Sequence, residues 1–236
     1  MIGIIGAMEE EVQLLRANME QTREQHIGTF AFITGTLRGK EVVLLQCGIG
    51  KVQAAAGCAI MLQTFKPTVL INTGSAGGIA PELRFGDVII SQGLIYHDVD
   101  VTAFGYLPGQ IPGQPQIFAA DETLQKQAQN AIEALKQAGR LPEDLRYQKG
   151  IIGSGDVFMH DPERINQLRE TFPQIRAVEM EGAAIAHCCL LFSVPFLVLR
   201  SLSDIAGQES PMKFEAFLPI ASRHSSEIVM KLMALL

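Results

Sequence analysis

The chain has 236 residues, a formal net charge of -6, and 19% charged against 47% hydrophobic residues. Its 19 Lys and Arg are spread along the sequence, which excludes the clustered cations that a nucleic-acid or anionic-membrane surface needs. No apolar run approaches the ~18 residues needed to span a bilayer, and so low a charge content, against roughly 25% in an average globular chain, points to an oligomer that buries part of its surface.

Read in order, Ile2 to Ala7 is a short buried strand and Met8 to Met19 a helix opened by Glu9, Glu10 and Glu11, acids that suit its N-terminal dipole. The first residues carry no basic segment before an apolar one, so export is not expected. Phe30 to Leu37 and Glu41 to Cys47 read as a hairpin around Arg38-Gly39-Lys40. Gly48-Ile49-Gly50 leads into an Ala-rich helix, Lys51 to Phe65, which stops before Pro67. Thr68 to Asn72 is a strand that ends in the small-residue run Thr73 to Gly78, and Asp87 to Ser91 is another. From His97 to Pro115 the chain is Gly- and Pro-rich yet carries Val101, Phe104, Tyr106, Leu107 and Ile111, apolar side chains that need a partner surface.

Asp121 to Ala138 has helical periodicity, Gly139 to Gln148 is a polar connector, and Gly150 to Gly153 resumes the sheet. Helices are expected over Pro162 to Phe172, Gly182 to Phe192 and Lys213 to Leu236, with a strand over Pro195 to Ser201 that leads to Ser203-Asp204. Alternating strands and helices over this length describe one α/β domain, 1–236, built as three layers with a central sheet flanked by helices and its site at the C-terminal strand ends. The four cysteines, Cys47, Cys58, Cys188 and Cys189, show no C-x-x-C spacing and read as reduced core thiols of a cytoplasmic protein.

The segment Val178-Glu179-Met180-Glu181-Gly182 places two acids between apolar runs. Burying them requires replacement hydrogen bonds, because an unpaired charge removed from water costs several kcal/mol. Glu181 directly precedes a helix, so its carboxylate is expected to use the free N–H groups at that N-terminus. Two familiar motifs fail. Gly48-Ile49-Gly50-Lys51-Val52 lacks both the Ser or Thr after the lysine of a phosphate loop and the third glycine of a dinucleotide fingerprint. His97-Asp98-Val99-Asp100 offers hard ligands on alternate faces of a strand with no matching cluster elsewhere, so neither a metal nor any other cofactor is expected.

Seven blocks, in order along the whole chain, carry a resemblance: G-I-I-G-A-M-E-E-E from Gly3, G-I-G-K-V from Gly48, N-T-G-S-A-G-G from Asn72, H-D-V-D-V-T-A-F-G-Y from His97, S-G-D from Ser154, V-E-M-E from Val178 and R-S-L-S-D from Arg200. The chain resembles the nucleoside phosphorylase/nucleosidase superfamily, and within it the 5'-methylthioadenosine/S-adenosylhomocysteine nucleosidases. The resemblance implies a mixed, twisted central sheet of nucleoside phosphorylase-like type and hydrolysis of the N-glycosidic bond of a 5'-thio-substituted adenosine. It assigns Glu11 to the attacking water and Asp204, aided by Ser203, to proton donation at N7 of adenine. Glu181 would hold the ribose hydroxyls, with Glu179 beside it and Met180 packed on the sugar. Phe158 and the backbone at Met159 would hold the base, and Ser75 and Gly77 would line the site. Met8, Ile49, Val101, Phe104, Pro112 and Phe214 would form the apolar 5' pocket, Phe104 and Pro112 coming from the neighbour in a homodimer. Two departures stand out: relatives often read S-D-x-A-D where this chain ends in Gly207, and the connector Gly139 to Gln148 is long.

The residue types suit the chemistry. Breaking a ribosyl–adenine bond builds positive charge on the sugar and negative charge on the purine, so a carboxylate near the sugar and an acid at the base stabilise opposite ends. A phosphorylase of the same superfamily is the nearest alternative, but phosphate needs convergent cations or an acid-free helix N-terminus, and Glu9 to Glu11 with Ala76 beside Ser75 supply neither. A non-catalytic nucleoside sensor would lose Glu11 or Asp204, and both are present. Methylthioadenosine, adenosylhomocysteine, 5'-deoxyadenosine and an aminofutalosine-type substrate share adenine and ribose and stay open.

Overall fold

The computed structural model describes residues 1–205 and 210–236, with side chains beyond 205 described from 216 onward. Strands β1 (Ile2–Gly6), β4 (Lys40–Gln46), β5 (Val69–Gly78) and β10 (Phe196–Ile205) form the parallel centre of a mixed sheet: β1 lies between β4 and β5, and β5 also pairs with β10. These strands are runs of Ile, Val and Leu buried on both faces, the signature of strands covered by helices on either side. β3 (Phe30–Leu37) and β2 (Glu20–Ile27) extend one edge antiparallel.

On the other side the sheet curls and closes. β10 pairs antiparallel with β6 (Val88–Tyr96), β6 parallel with β8 (Tyr147–Ser154), β8 parallel with β9 (Ile175–Glu179), and β9 returns antiparallel to β5. β7 (Phe118–Ala119) adds a short pairing to β6. Helix α2 (Lys51–Phe65) packs on α5 (Gly182–Leu191), while α6 (Ser210–Met233) packs on α1 (Glu9–Ala17), α3 (Glu122–Gln137), β5 and β10. α4 (Pro162–Thr171), capped by Asp161, covers a smaller core of Ile79, Ile95, Met159, Ile165, Leu168, Phe172, Ile175 and Val178. The layered α/β architecture with a mixed central sheet is the expected one.

Several boundaries differ from expectation. β2 has no apolar alternation: its residues EQTREQHI are exposed except for the last, which is how an edge strand is kept from pairing with another chain. Thr73 to Gly78 belongs to β5, and Ser203 and Asp204 to β10, because the closed part of the sheet gives their backbones ladder partners that a loop would lack. β9 runs up to Glu179, so the acidic segment begins inside a strand. The polar connector runs from Ala138 to Arg146, held to α6 by the Arg140–Glu227 pair at 2.8 Å. Gly207 and the Phe214 side chain lie outside the described residues. All four cysteines are buried free thiols, and no described helix is long and apolar enough to cross a membrane.

Candidate active site

A cavity of about 200 Å3 lies where β5, β9 and β10 end beside the start of α1 and α5. Glu11 enters it from the first turn of α1. Its Oε2 accepts the N–H groups of Ala7 at 2.8 Å and Met8 at 3.1 Å, and its Oε1 accepts the N–H of Ser75 at 2.9 Å and the Ser75 hydroxyl at 3.1 Å. The carboxylate lies flat on β5 because residue 74 is glycine: a Cβ there would stand 2.6 Å from Glu11 Oε1. Four donors replace the water that this buried acid has lost.

Ser203 and Asp204 both face the cavity, although neighbours on a regular strand point to opposite faces. The ladder explains this: Leu202 pairs with Ala76 and Asp204 with Gly77, leaving Ser203 as the extra residue of a bulge. The Ser203 hydroxyl donates to Asp204 Oδ1 at 3.2 Å.

The two acids of the Val178 segment divide their roles differently from the expectation. Glu179, not Glu181, uses the free N–H groups of α5: it accepts from Glu181 N–H at 3.1 Å and from Gly182 N–H at 2.7 Å, and it pairs with Arg200 and the Ser154 hydroxyl. Glu181 sits at the cap position with no capping bond of its own; its Oε1 instead accepts the Gly50 N–H at 2.8 Å. Partners from elsewhere in the chain decide between them: Arg200 and Ser154 hold Glu179 against the start of α5, while Gly50 draws Glu181 away from it. Burial, and then the charge of Glu179, push the Glu181 carboxyl up to about 7, against the opposing pull of Gly50 N–H and Arg200.

Arg200 was given no role by the sequence reading. It is 2% exposed in the middle of β10, and besides Glu179 its guanidinium reaches Asn72 Oδ1 at 2.6 Å and the Leu199 carbonyl at 3.2 Å. Burial works against its charge, but Glu179, Glu11 and Glu181 outweigh that and raise its pKa. The signal was available: a cation inside the apolar run Phe196 to Leu202 is too costly without a buried acid facing it. Cys47 reports the same acidic surroundings, its thiol pushed up to about 12 by burial and then by Glu181 and Glu11.

The cavity thus brings together Met8, Glu11, Ile49, Ser75, Gly77, Phe158, Glu179, Met180, Glu181, Ser203 and Asp204. It does not include Val101, Phe104, Pro112 or Met159. Met159 lines a separate cavity of about 350 Å3 under the His97 to Pro108 loop. Phe104 is 81% exposed, following Val101 in a short 3-10 turn (Thr102–Phe104), and Pro112 is exposed as well.

The phosphorylase superfamily pattern matches residues 1–234. A 5'-methylthioadenosine/S-adenosylhomocysteine nucleosidase of Anoxybacillus flavithermus is 53% identical over 97% of this chain and 95% of its own length. Among solved structures, a 5'-methylthioadenosine/S-adenosylhomocysteine nucleosidase of Colwellia psychrerythraea in complex with adenine is 44% identical with a TM-score of 0.94, over 98% of this chain and 93% of that one. The futalosine hydrolase of Helicobacter pylori is 33% identical with a TM-score of 0.91, over 100% and 97%.

Proposed function

The chain belongs to the 5'-methylthioadenosine/S-adenosylhomocysteine nucleosidases of the phosphorylase superfamily, and we propose from that premise how its cavity works. The protein is a hydrolase that cleaves the N-glycosidic bond of 5'-methylthioadenosine and S-adenosylhomocysteine, releasing adenine and the 5'-substituted ribose. The single observation that carries the mechanism is the convergence of Glu11, Glu181 and Asp204 on one cavity, each acid held by a different element.

Glu11 activates the water. Three of its four donors are backbone N–H groups, those of Ala7 and Met8 just before α1 and of Ser75 in β5, and these hold the carboxylate aimed into the cavity. The fourth, the Ser75 hydroxyl, can rotate. A water that takes its place donates one proton to Glu11 Oε1 and presents a lone pair to the anomeric carbon. Asp204 gives its proton to N7 of the departing adenine, with Ser203 orienting the carboxyl. Glu181, whose Oε1 is fixed by Gly50 N–H, uses its other oxygen to accept the ribose hydroxyls. Arg200 pairs with Glu179 behind it and holds that carboxylate in the cavity wall, beside the Met180 side chain on which the sugar packs. As the oxocarbenium-like charge grows on the ribose, Glu11 and Glu181 stabilise it more than they stabilise the ground state.

This arrangement supports water over phosphate. Among the described residues, the buried cation beside the cavity is Arg200, and its two terminal nitrogens are engaged by Glu179, Asn72 and Leu199. A phosphate dianion would meet Glu11, Glu181 and Glu179 at close range.

A homodimer with composite sites accounts for the loop residues that do not reach the cavity of their own chain. Phe104 and Leu107 are 81% and 55% exposed, and the α2–α5 pair exposes Val52, Leu190 and Leu191 at 78%, 47% and 65%. So much apolar surface on one chain supports a self-complementary interface, with Val101, Phe104 and Pro112 closing the 5' pocket of the neighbour.

Adenine release measured on methylthioadenosine, adenosylhomocysteine, 5'-deoxyadenosine and aminofutalosine tests the assignment. Efficient turnover of the two thio substrates is expected. A kcat/KM for aminofutalosine above both would move the chain to the futalosine-type branch.

A further inference from the structure

Three sequence blocks whose charged residues the chemistry leaves unused, Gly48 to Lys51, His97-Asp98 and Ser154 to Asp156, meet at one point beside the cavity. The start of α2 is an unusual helix end. Its cap residue, Gly50, has no side chain to offer, and its first helical residue, Lys51, brings a cation to the positive end of the helix dipole. Acids from remote loops resolve both difficulties: Glu181 Oε1 accepts the Gly50 N–H at 2.8 Å, and Asp156 Oδ1 accepts the Lys51 N–H at 2.8 Å. Gly50 has φ +98°, and a Cβ there would also stand 3.2 Å from Asp156 Oδ1, so the approach needs glycine.

The lysine side chain completes the arrangement. Its Nζ lies 2.5 Å from Asp98 Oδ2, 3.8 Å from Asp156 Oδ2 and 5.5 Å from the centre of the Tyr96 ring. Asp98 Oδ2 also accepts the Asp156 N–H at 2.9 Å. One ammonium therefore ties the loop after β6, the loop after β8 and the start of α2. The Lys51 and Asp98 side chains are only 23% and 19% exposed, so the pair is screened less than an open surface bridge.

Two residues before Lys51 stands Ile49, and two residues after Asp156 stands Phe158; both line the cavity and are 52% and 41% exposed at its rim. We propose that Lys51, Asp98 and Asp156 form a clasp that positions these two walls and so sets substrate affinity without touching the reacting atoms. The inference rests on the nucleosidase reading above. Glu11 is held by Ala7, Met8 and Ser75, and Asp204 sits on β10, so neither carboxyl hangs on the clasp. Opening it removes binding that is the same in ground state and transition state, which raises KM and leaves kcat near its original value.

The test is steady-state hydrolysis of 5'-methylthioadenosine by Lys51→Met, Asp98→Asn and the double variant, with thermal midpoints recorded alongside. Lys51→Met is expected to raise KM about tenfold with kcat within about threefold, the size of one lost charge-assisted contact. The double variant should be no worse than the poorer single one, because both open the same clasp. A merely structural role would lower the midpoint and leave KM alone. Unchanged KM in Lys51→Met, or KM losses that multiply in the double variant, would overturn the proposal. Should Lys51→Met not fold, Asp156→Asn keeps the acceptor for Lys51 N–H, removes only the charge, and must show the same KM rise. Absence of adenine release by the wild-type protein would instead overturn the nucleosidase reading, and the clasp's role with it.

Discussion

Replacing Glu181 by Gln should make the empty protein more stable and a poorer binder at the same time. The carboxyl is buried and beside Glu179, and its pKa rises from an ordinary 4.5 to about 7. Between those values the folded state holds a proton that the unfolded chain has released, so the stability contributed by this group is complete below about 4.5 and is lost as pH rises toward 7. At about 1.4 kcal/mol per decade, the loss is about 3 kcal/mol and levels off above pH 7. Gln keeps an oxygen for the Gly50 N–H and has no charge to desolvate. Thermal or urea unfolding of ligand-free protein from pH 5 to 8 should therefore show Glu181→Gln drawing ahead of wild type across that range, by up to about 10 °C at about 2–4 °C per kcal/mol for a chain of this size. With a non-hydrolysable 5'-thioadenosine analogue the order should reverse, because the ribose hydroxyls need a charged acceptor. Parallel pH–stability curves for the two proteins would refute the reasoning that burial and Glu179 hold Glu181 near neutrality.

Other outcomes follow from the same geometry. Asp204→Asn should lower turnover of adenine nucleosides by about 10²–10⁴-fold, the usual range for general acid catalysis, and much less on a riboside with p-nitrophenolate as leaving group, which departs without a proton; Glu11→Gln should damage both alike, and equal losses for Asp204→Asn would make that residue structural or sugar-binding. Sedimentation should show a two-chain species, and Phe104→Ala should weaken binding of 5'-thio substrates while sparing the fold, since Phe104 is 81% exposed; full activity from a monomer would contradict the composite site.

What could be read in the sequence was set by how local each signal is. α2 carries its own stop before Pro67, and the β3–β4 hairpin its own turn, so both were legible. β2 was not, because an edge strand needs no buried face and its residues alternate in nothing. The reach of β5 to Gly78 and of β10 to Ile205 depends on ladder partners supplied by distant β9 and by each other. At the site, the acids could be named from the sequence, but their division of labour could not. Which of Glu179 and Glu181 caps α5 depends on Arg200 and Gly50, brought in from elsewhere in the chain. The clasp is equally hidden: in the sequence Asp98 stands among polar residues with no matching cluster, and its partners Asp156 and Lys51 come to it only in the folded chain.

The most direct test of the central claim is the product formed from 5'-methylthioadenosine with and without phosphate. Water held by Glu11 in an acid-lined cavity predicts free 5-methylthioribose and adenine at the same rate in both buffers. A 5-methylthioribose-1-phosphate product, or a rate that rises with phosphate, would contradict it.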